Sequence, residues 1–208
     1  MSFLPKWFLP VVVTVLVLLG VGAVTVAFAF GITRHQWDGP ATRQFARITG
    51  FPAARLASTK IPYTDYLQLM DAQKILLATE VAKQQGLNAV PEADRRKGAV
   101  ETLLKNQAVE VIAEQEKVVV TPLDVDRFFD QLTGLASTST TTTVQSVDEY
   151  LRDNFGWTQT EYKKYVVRPG MLREIIDQKR KQNNSTNAID TEIGQRVLQS
   201  DVKRYLQL

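Results

Sequence analysis

An enzyme centre needs particular side chains in particular company, and this chain is short of them. It holds one histidine, His35, and no cysteine in 208 residues. A cysteine nucleophile, a disulfide, a thiolate metal site and an iron–sulfur cluster are thereby excluded. A single imidazole leaves almost no material for histidine acid–base work or a zinc site. No catalytic residue, no metal site and no cofactor is predicted. What the chain does carry is a group of rings within one stretch: Phe128, Phe129, Tyr150, Phe155, Trp157, Tyr162 and Tyr165. Rings so placed either fill a core or line a groove where an unfolded segment buries apolar surface for about 25 cal/mol per Å². These seven are the candidate client-binding residues, with the core-filling reading open for each.

Charge narrows the partners further. Twenty-five basic residues face 22 acidic ones, for a net charge of +3 and a pI near 9.1. No arginine-rich stripe with interleaved aromatics accompanies that small excess, so nucleic acid is not an expected partner.

The elements that must position the rings read almost wholly as helix from Ile61 onward. Tyr66, Leu67, Met70, Leu77 and Val81 recur at helical spacing behind Pro62-Tyr63-Thr64-Asp65, and Gly86 stops the run. Pro91-Glu92 opens a second helix whose Val100, Leu103, Leu104, Ala108, Val111 and Ile112 build one apolar stripe. Gly98 inside it costs up to about 1 kcal/mol relative to alanine. Thr121-Pro122-Leu123-Asp124 caps a third helix that ends near Gly134. Seven consecutive hydroxyl residues, 137–143, predict a flexible surface loop spanning 136–145. Ser146/Glu149 and Thr158/Glu161 are two capping boxes, with a helix end near Gly156 between them. Pro169-Gly170 should kink or split the helix that the second box begins. Asn183 to Asn187 is a break, and residues 189–206 suit a final helix.

Upstream, residues 11–30 form an uncharged apolar run of 20. At 1.5 Å per residue such a helix spans about 30 Å, the thickness of a bilayer's hydrocarbon core. Trp7 and Trp37 flank it as membrane anchors, with Lys6 and Arg34 outside its ends. A cleaved signal peptide ending at Ala27-Phe28-Ala29 is the competing reading. The short N-terminal tail suits a signal-anchor that leaves the bulk of the chain outside the cytoplasm, although Arg34, Arg43 and Arg47 oppose that orientation by charge. Gly20, Gly22, Ala23 and Ala27 would admit a helix partner within the membrane. The expected fold class is therefore mainly α: a single N-terminal transmembrane helix, then an all-α multi-helix domain. The expected units are tail and anchor 1–33, juxtamembrane linker 34–52 with an amphipathic piece at 41–49, helical domain 53–182 and C-terminal helix 183–208.

The order of the pieces in 53–182 resembles the N-terminal chaperone domain of the SurA/PpiD/PrsA family of extracytoplasmic foldases. The matching residues are the lead-in ending Ile61-Pro62-Tyr63-Thr64-Asp65-Tyr66, the helix over 99–116, the step at 119–126, and the helix, glycine turn, helix pattern from Val147 to Tyr162. Ala57-Ser58-Thr59-Lys60 stands where such proteins often carry an Asn-Gly turn before the isoleucine. The resemblance implies a membrane-anchored, extracytoplasmic module that binds unfolded or nascent polypeptides, with those clients and the lipid bilayer as partners. It also raises peptidyl-prolyl isomerase activity as an alternative. No parvulin-like histidine-bearing, glycine-rich stretch is present, and few residues follow Gln182. A single-pass scaffold protein is the other alternative.

Overall fold

The computed structural model describes residues 20, 22–137, 146–183, 188–199 and 202–206. Helix dominates. After α1 (residues 22–30, continued by a π-helical turn at Gly31–His35) come α2 (Pro40–Thr49), strands β1 (Pro52–Leu56) and β2 (Thr59–Pro62), α3 (Tyr63–Ala78) and α4 (Glu80–Gln84). The chain continues through α5 (Glu92–Gln115), α6 (Pro122–Ser137), α7 (Val147–Phe155), α8 (Gln159–Tyr162), α9 (Arg168–Gln182), α10 (Ile189–Leu198) and β3 (Lys203–Arg204).

Helix α5 is the spine. Its stripe buries Val100, Leu103, Leu104, Ala108 and Ile112 as the spacing predicts, adds Ala99, Val109 and Ala113, and leaves Val111 half-buried. Against it lie α3, α9 and α10. Polar clasps fix their ends. The Arg180 guanidinium donates to Glu116 at 2.5 Å and to Glu192 at 2.6 Å, joining α5, α9 and α10. Arg168 forks onto both oxygens of Glu110, at 2.7 and 3.0 Å, while its third bond goes to the Val120 carbonyl. That pair of bonds holds the extended connector 118–120 between α5 and α9.

The all-α expectation is corrected by a three-stranded antiparallel sheet of order β2-β1-β3. Strand β1, Pro-Ala-Ala-Arg-Leu, has neither β-branched residues nor alternation, so no local strand signal marks it. Its existence depends on partners, one of which is β3, about 150 residues away in the chain. The helix expected over 189–206 likewise stops at Leu198, and the chain turns to pair with β1 and bury Leu206. Helix α6 runs past Gly134 to Ser137, and residues 138–145 of the expected Ser/Thr loop lie outside the described residues.

The transmembrane part of the expected fold class is also corrected. Among the described residues no helix is long and apolar enough to cross a membrane. Residues 11–19 and 21 of the apolar run, and Trp7, lie outside the described residues. Residues 22–27 and Phe30 of its described part are exposed, Phe28 packs on Phe45, and the segment just beyond the run enters the fold. Ile32 is 0% exposed in the common core, and the Trp37 indole lies so close over Gly31 that a Cβ there would overlap it. Trp37 stacks edge-on to Phe28, which stacks on Phe45, and the ring series continues through Phe51 and Tyr63 to Tyr66. Gln36 completes the attachment: its side-chain oxygen accepts from Tyr66 at 3.0 Å and from Arg96 at 2.7 Å. Residues 32–46 thus contribute Ile32, Gln36, Thr42 and Ala46 to the buried interior.

Candidate functional site

The region carrying the seven candidate rings is built from locally determined turns. The Ser146 hydroxyl accepts from the Glu149 amide while the Glu149 carboxylate accepts from the Ser146 amide, which starts α7. Gly156 ends it at φ +66°, a left-handed conformation that an L side chain resists, and its amide donates to the Arg152 carbonyl at 2.8 Å. The Thr158/Glu161 box then starts α8 within two residues. These three turns reverse the chain so that Phe155, Trp157 and Tyr162 face one another.

Helix α8 passes through a π-helical turn, Lys163–Val167, into α9. Pro169 lacks the N–H that would bond the Tyr165 carbonyl four residues earlier, and the Asn106 side chain of α5 donates to that carbonyl at 3.0 Å. The sequence marks the proline. It gives no sign of Asn106, because the partner lies 59 residues away.

Six of the seven rings form one connected series. Tyr165 lies 5.6 Å from Trp157 between centroids, Trp157 stacks on Phe155 at 5.5 Å, and Phe155 meets Tyr150 at 6.4 Å. A branch runs from Phe155 to Tyr162 and on to Phe129 of α6 at 6.1 Å. Separations of this size are the range in which offset and edge-on rings attract. Phe128 packs on the same core without joining the ring series among the described residues. Burial is graded along the series. Phe129, Trp157 and Tyr165 are buried, Phe128, Phe155 and Tyr162 are half-buried, and Tyr150 is 51% exposed. Leu132, one turn beyond Phe128 on α6, is also exposed.

The inner end is held by α3. Tyr165 donates its hydroxyl to the Gln68 side-chain oxygen, the Gln68 amide donates to Glu161 at 2.8 Å, and the Trp157 indole N–H points at the Gln68 carbonyl, 3.5 Å away. Gln68 is thus the residue that fixes the platform's depth, and no sequence signal marks it because its partners are 89 to 97 residues distant. Burial, reinforced by the nearby Asp65 carboxylate, pushes the Tyr165 phenol well above its usual range, so it stays a neutral donor. Lys163 bonds Asp126 at 2.8 Å and lies 4.6 Å above the Phe129 ring; Lys164 bonds Asp65 and lies 4.8 Å from the Tyr165 ring. Each cation therefore lies over one buried ring, whose quadrupole attracts it.

A separate trough runs along β2. One cavity of about 350 Å³ is lined by Thr59, Gln107 and residues 118–120, and a second of about 270 Å³ by Lys60, Ile61, Pro62 and Asn106. Gln107, Glu110 and Arg168 line both. Among the described residues no group of three or more metal-ligating side chains stands together. Compared with known proteins, the chain matches no family model, no curated protein and no solved structure.

Proposed function

We propose that the chain is a chaperone-like module that holds unfolded or non-native polypeptide on the outer end of its aromatic series. The observation that carries this reading is the gradient in exposure. Rings anchored at Gln68 and Tyr165 lead without interruption to an exposed Tyr150, with half-buried Phe155, Tyr162 and Phe128 beside it. A core would bury its last ring, whereas a docking platform needs rigid rings with one face left to water. The resemblance of residues 53–182 to extracytoplasmic foldases supports the same class. Weak, sequence-tolerant binding follows from the chemistry, because apolar burial carries no directional requirement.

The test is suppression of aggregation. A chemically unfolded client protein is diluted into the purified chain and light scattering is followed. Scattering falls with the wild type, and Tyr150→Ser combined with Leu132→Ser loses most of that effect while keeping the wild-type helical content. Suppression that is absent, or undiminished in the double variant, removes the proposal.

A further inference from the structure

Beside the trough, strand β2 presents one edge of its main chain. In the sheet order β2-β1-β3, β2 is an edge. Its hairpin turns at Ala57-Ser58 and pairs Leu56 with Thr59, Arg55 with Lys60 and Ala54 with Ile61. A two-residue turn makes its flanking residues a bonded pair, and antiparallel bonding alternates, so Thr59 and Ile61 bond β1. The Lys60 N–H and C=O then point away from the sheet, and among the described residues no strand pairs with them. Pro62 has no N–H, and as the N-cap of α3 its carbonyl accepts the first bond of that helix, which confines an added ladder on β2 to Lys60.

Across from this edge stands the connector 118–120, with Val119 80% exposed. The floor between holds Gln107, half-buried, whose carboxamide has no partner among the described residues. A free carboxamide offers a donating NH2 and an accepting oxygen, the two roles that a peptide group needs. Among the charged lining residues Glu110 pairs with Arg168 and Asp65 with Lys164, while Lys60 and Glu114 add one charge of each sign, so the lining carries no net charge. An uncharged occupant fits such a floor. We infer that the trough binds an extended, uncharged stretch of non-native polypeptide as a short added strand on β2, its main chain bonded by Lys60 and Gln107 and its apolar side chains against Val111, Val118 and Val119. This rests on the polypeptide-holding reading for its biological sense but uses a surface that meets the ring series only at buried Tyr165.

The experiment uses the full chain and a capped hexapeptide of alternating threonine and valine. Binding is followed by fluorescence anisotropy, and amide exchange at Lys60 by NMR. At saturation the Lys60 amide exchanges at least tenfold more slowly. Val119→Asp and Gln107→Leu each weaken binding at least fivefold, while Tyr150→Ser leaves it unchanged. Val119 is exposed enough that its substitution keeps the fold. No binding by the wild type overturns the inference, as does binding with unchanged Lys60 exchange or binding that only Tyr150→Ser reduces. Because Tyr150→Ser reports on the aromatic surface alone, the two surfaces fail separately.

Discussion

Replacing Gly156 by alanine adds one methyl group at the turn on which the aromatic platform hinges. Two costs arise from the structure. The φ of +66° places an L residue in the left-handed region, at about 1–2 kcal/mol. The new Cβ would also overlap Cδ1 of Ile75, well inside 3.0 Å. That atom is the free end of a flexible side chain, so moving it off its rotamer costs about 0.5–1.5 kcal/mol rather than a backbone shift. Alanine restricts the unfolded chain more than glycine does and returns about 0.5 kcal/mol. The net loss is about 1–3 kcal/mol. With a urea slope of about 2 kcal/mol per M, the unfolding midpoint falls by about 0.5–1.5 M. The same substitution at Gly98 has the opposite sign. Gly98 sits inside α5 without positive φ and with nothing within 4 Å of its would-be Cβ, so alanine there gains up to about 1 kcal/mol. Urea titrations of both variants, followed by circular dichroism and Trp emission, check the pair. A Gly156→Ala protein as stable as wild type, or a Gly98→Ala protein less stable, would refute the reasoning from backbone geometry.

Other consequences are as direct. Ala57 holds φ +52° in the β1–β2 turn, so Ala57→Gly should raise stability by about 0.5–1 kcal/mol in a thermal melt. Asn106→Ala leaves the Tyr165 carbonyl without its donor and should cost about 1–2 kcal/mol; adding Pro169→Ala restores an N–H in the helix, so the double variant should lose less than the two single losses added together. Burial pushes the Tyr66 phenol up to about 12, with Arg96 working against it. The folded state keeps that proton after the unfolded state has lost it near pH 10, so the stabilisation is complete below pH 10 and disappears as pH rises toward 12. Tyr66→Phe, though less stable near neutrality, should therefore lose less stability than wild type between pH 10 and 12 in denaturant titrations.

Legibility in the sequence tracks range. Both capping boxes, the Gly156 helix end, the α5 stripe and the Pro169 disturbance are signals carried within a few residues, and each marks a real feature. The sheet escapes detection because β1 is alanine-rich and gains its order from pairing with Thr59–Pro62 and Lys203–Arg204, which no periodicity announces. Trp37 shows a different limit. A tryptophan beyond an apolar run reads as an interfacial anchor, and nothing local announces that this residue, 44% exposed, also packs its indole on Gly31 or that its carbonyl accepts from the Tyr63 hydroxyl at 2.9 Å. The seven rings are visible in the sequence as a group, but not their order from buried Tyr165 to exposed Tyr150, because Gln68 sets it from a helix far upstream.

The proposed function requires the chain to distinguish unfolded from folded polypeptide through exposed Tyr150 and the half-buried rings beside it. Anisotropy of one labelled client, compared in its native form and in a permanently unfolded, reduced and alkylated form, measures that most directly. The unfolded form should bind, the native form should not, and Tyr150→Ser should weaken binding at least fivefold while Leu198→Ser, a control at an 83% exposed leucine on α10, leaves it unchanged. Equal binding of both forms, or equal weakening by both substitutions, would contradict it.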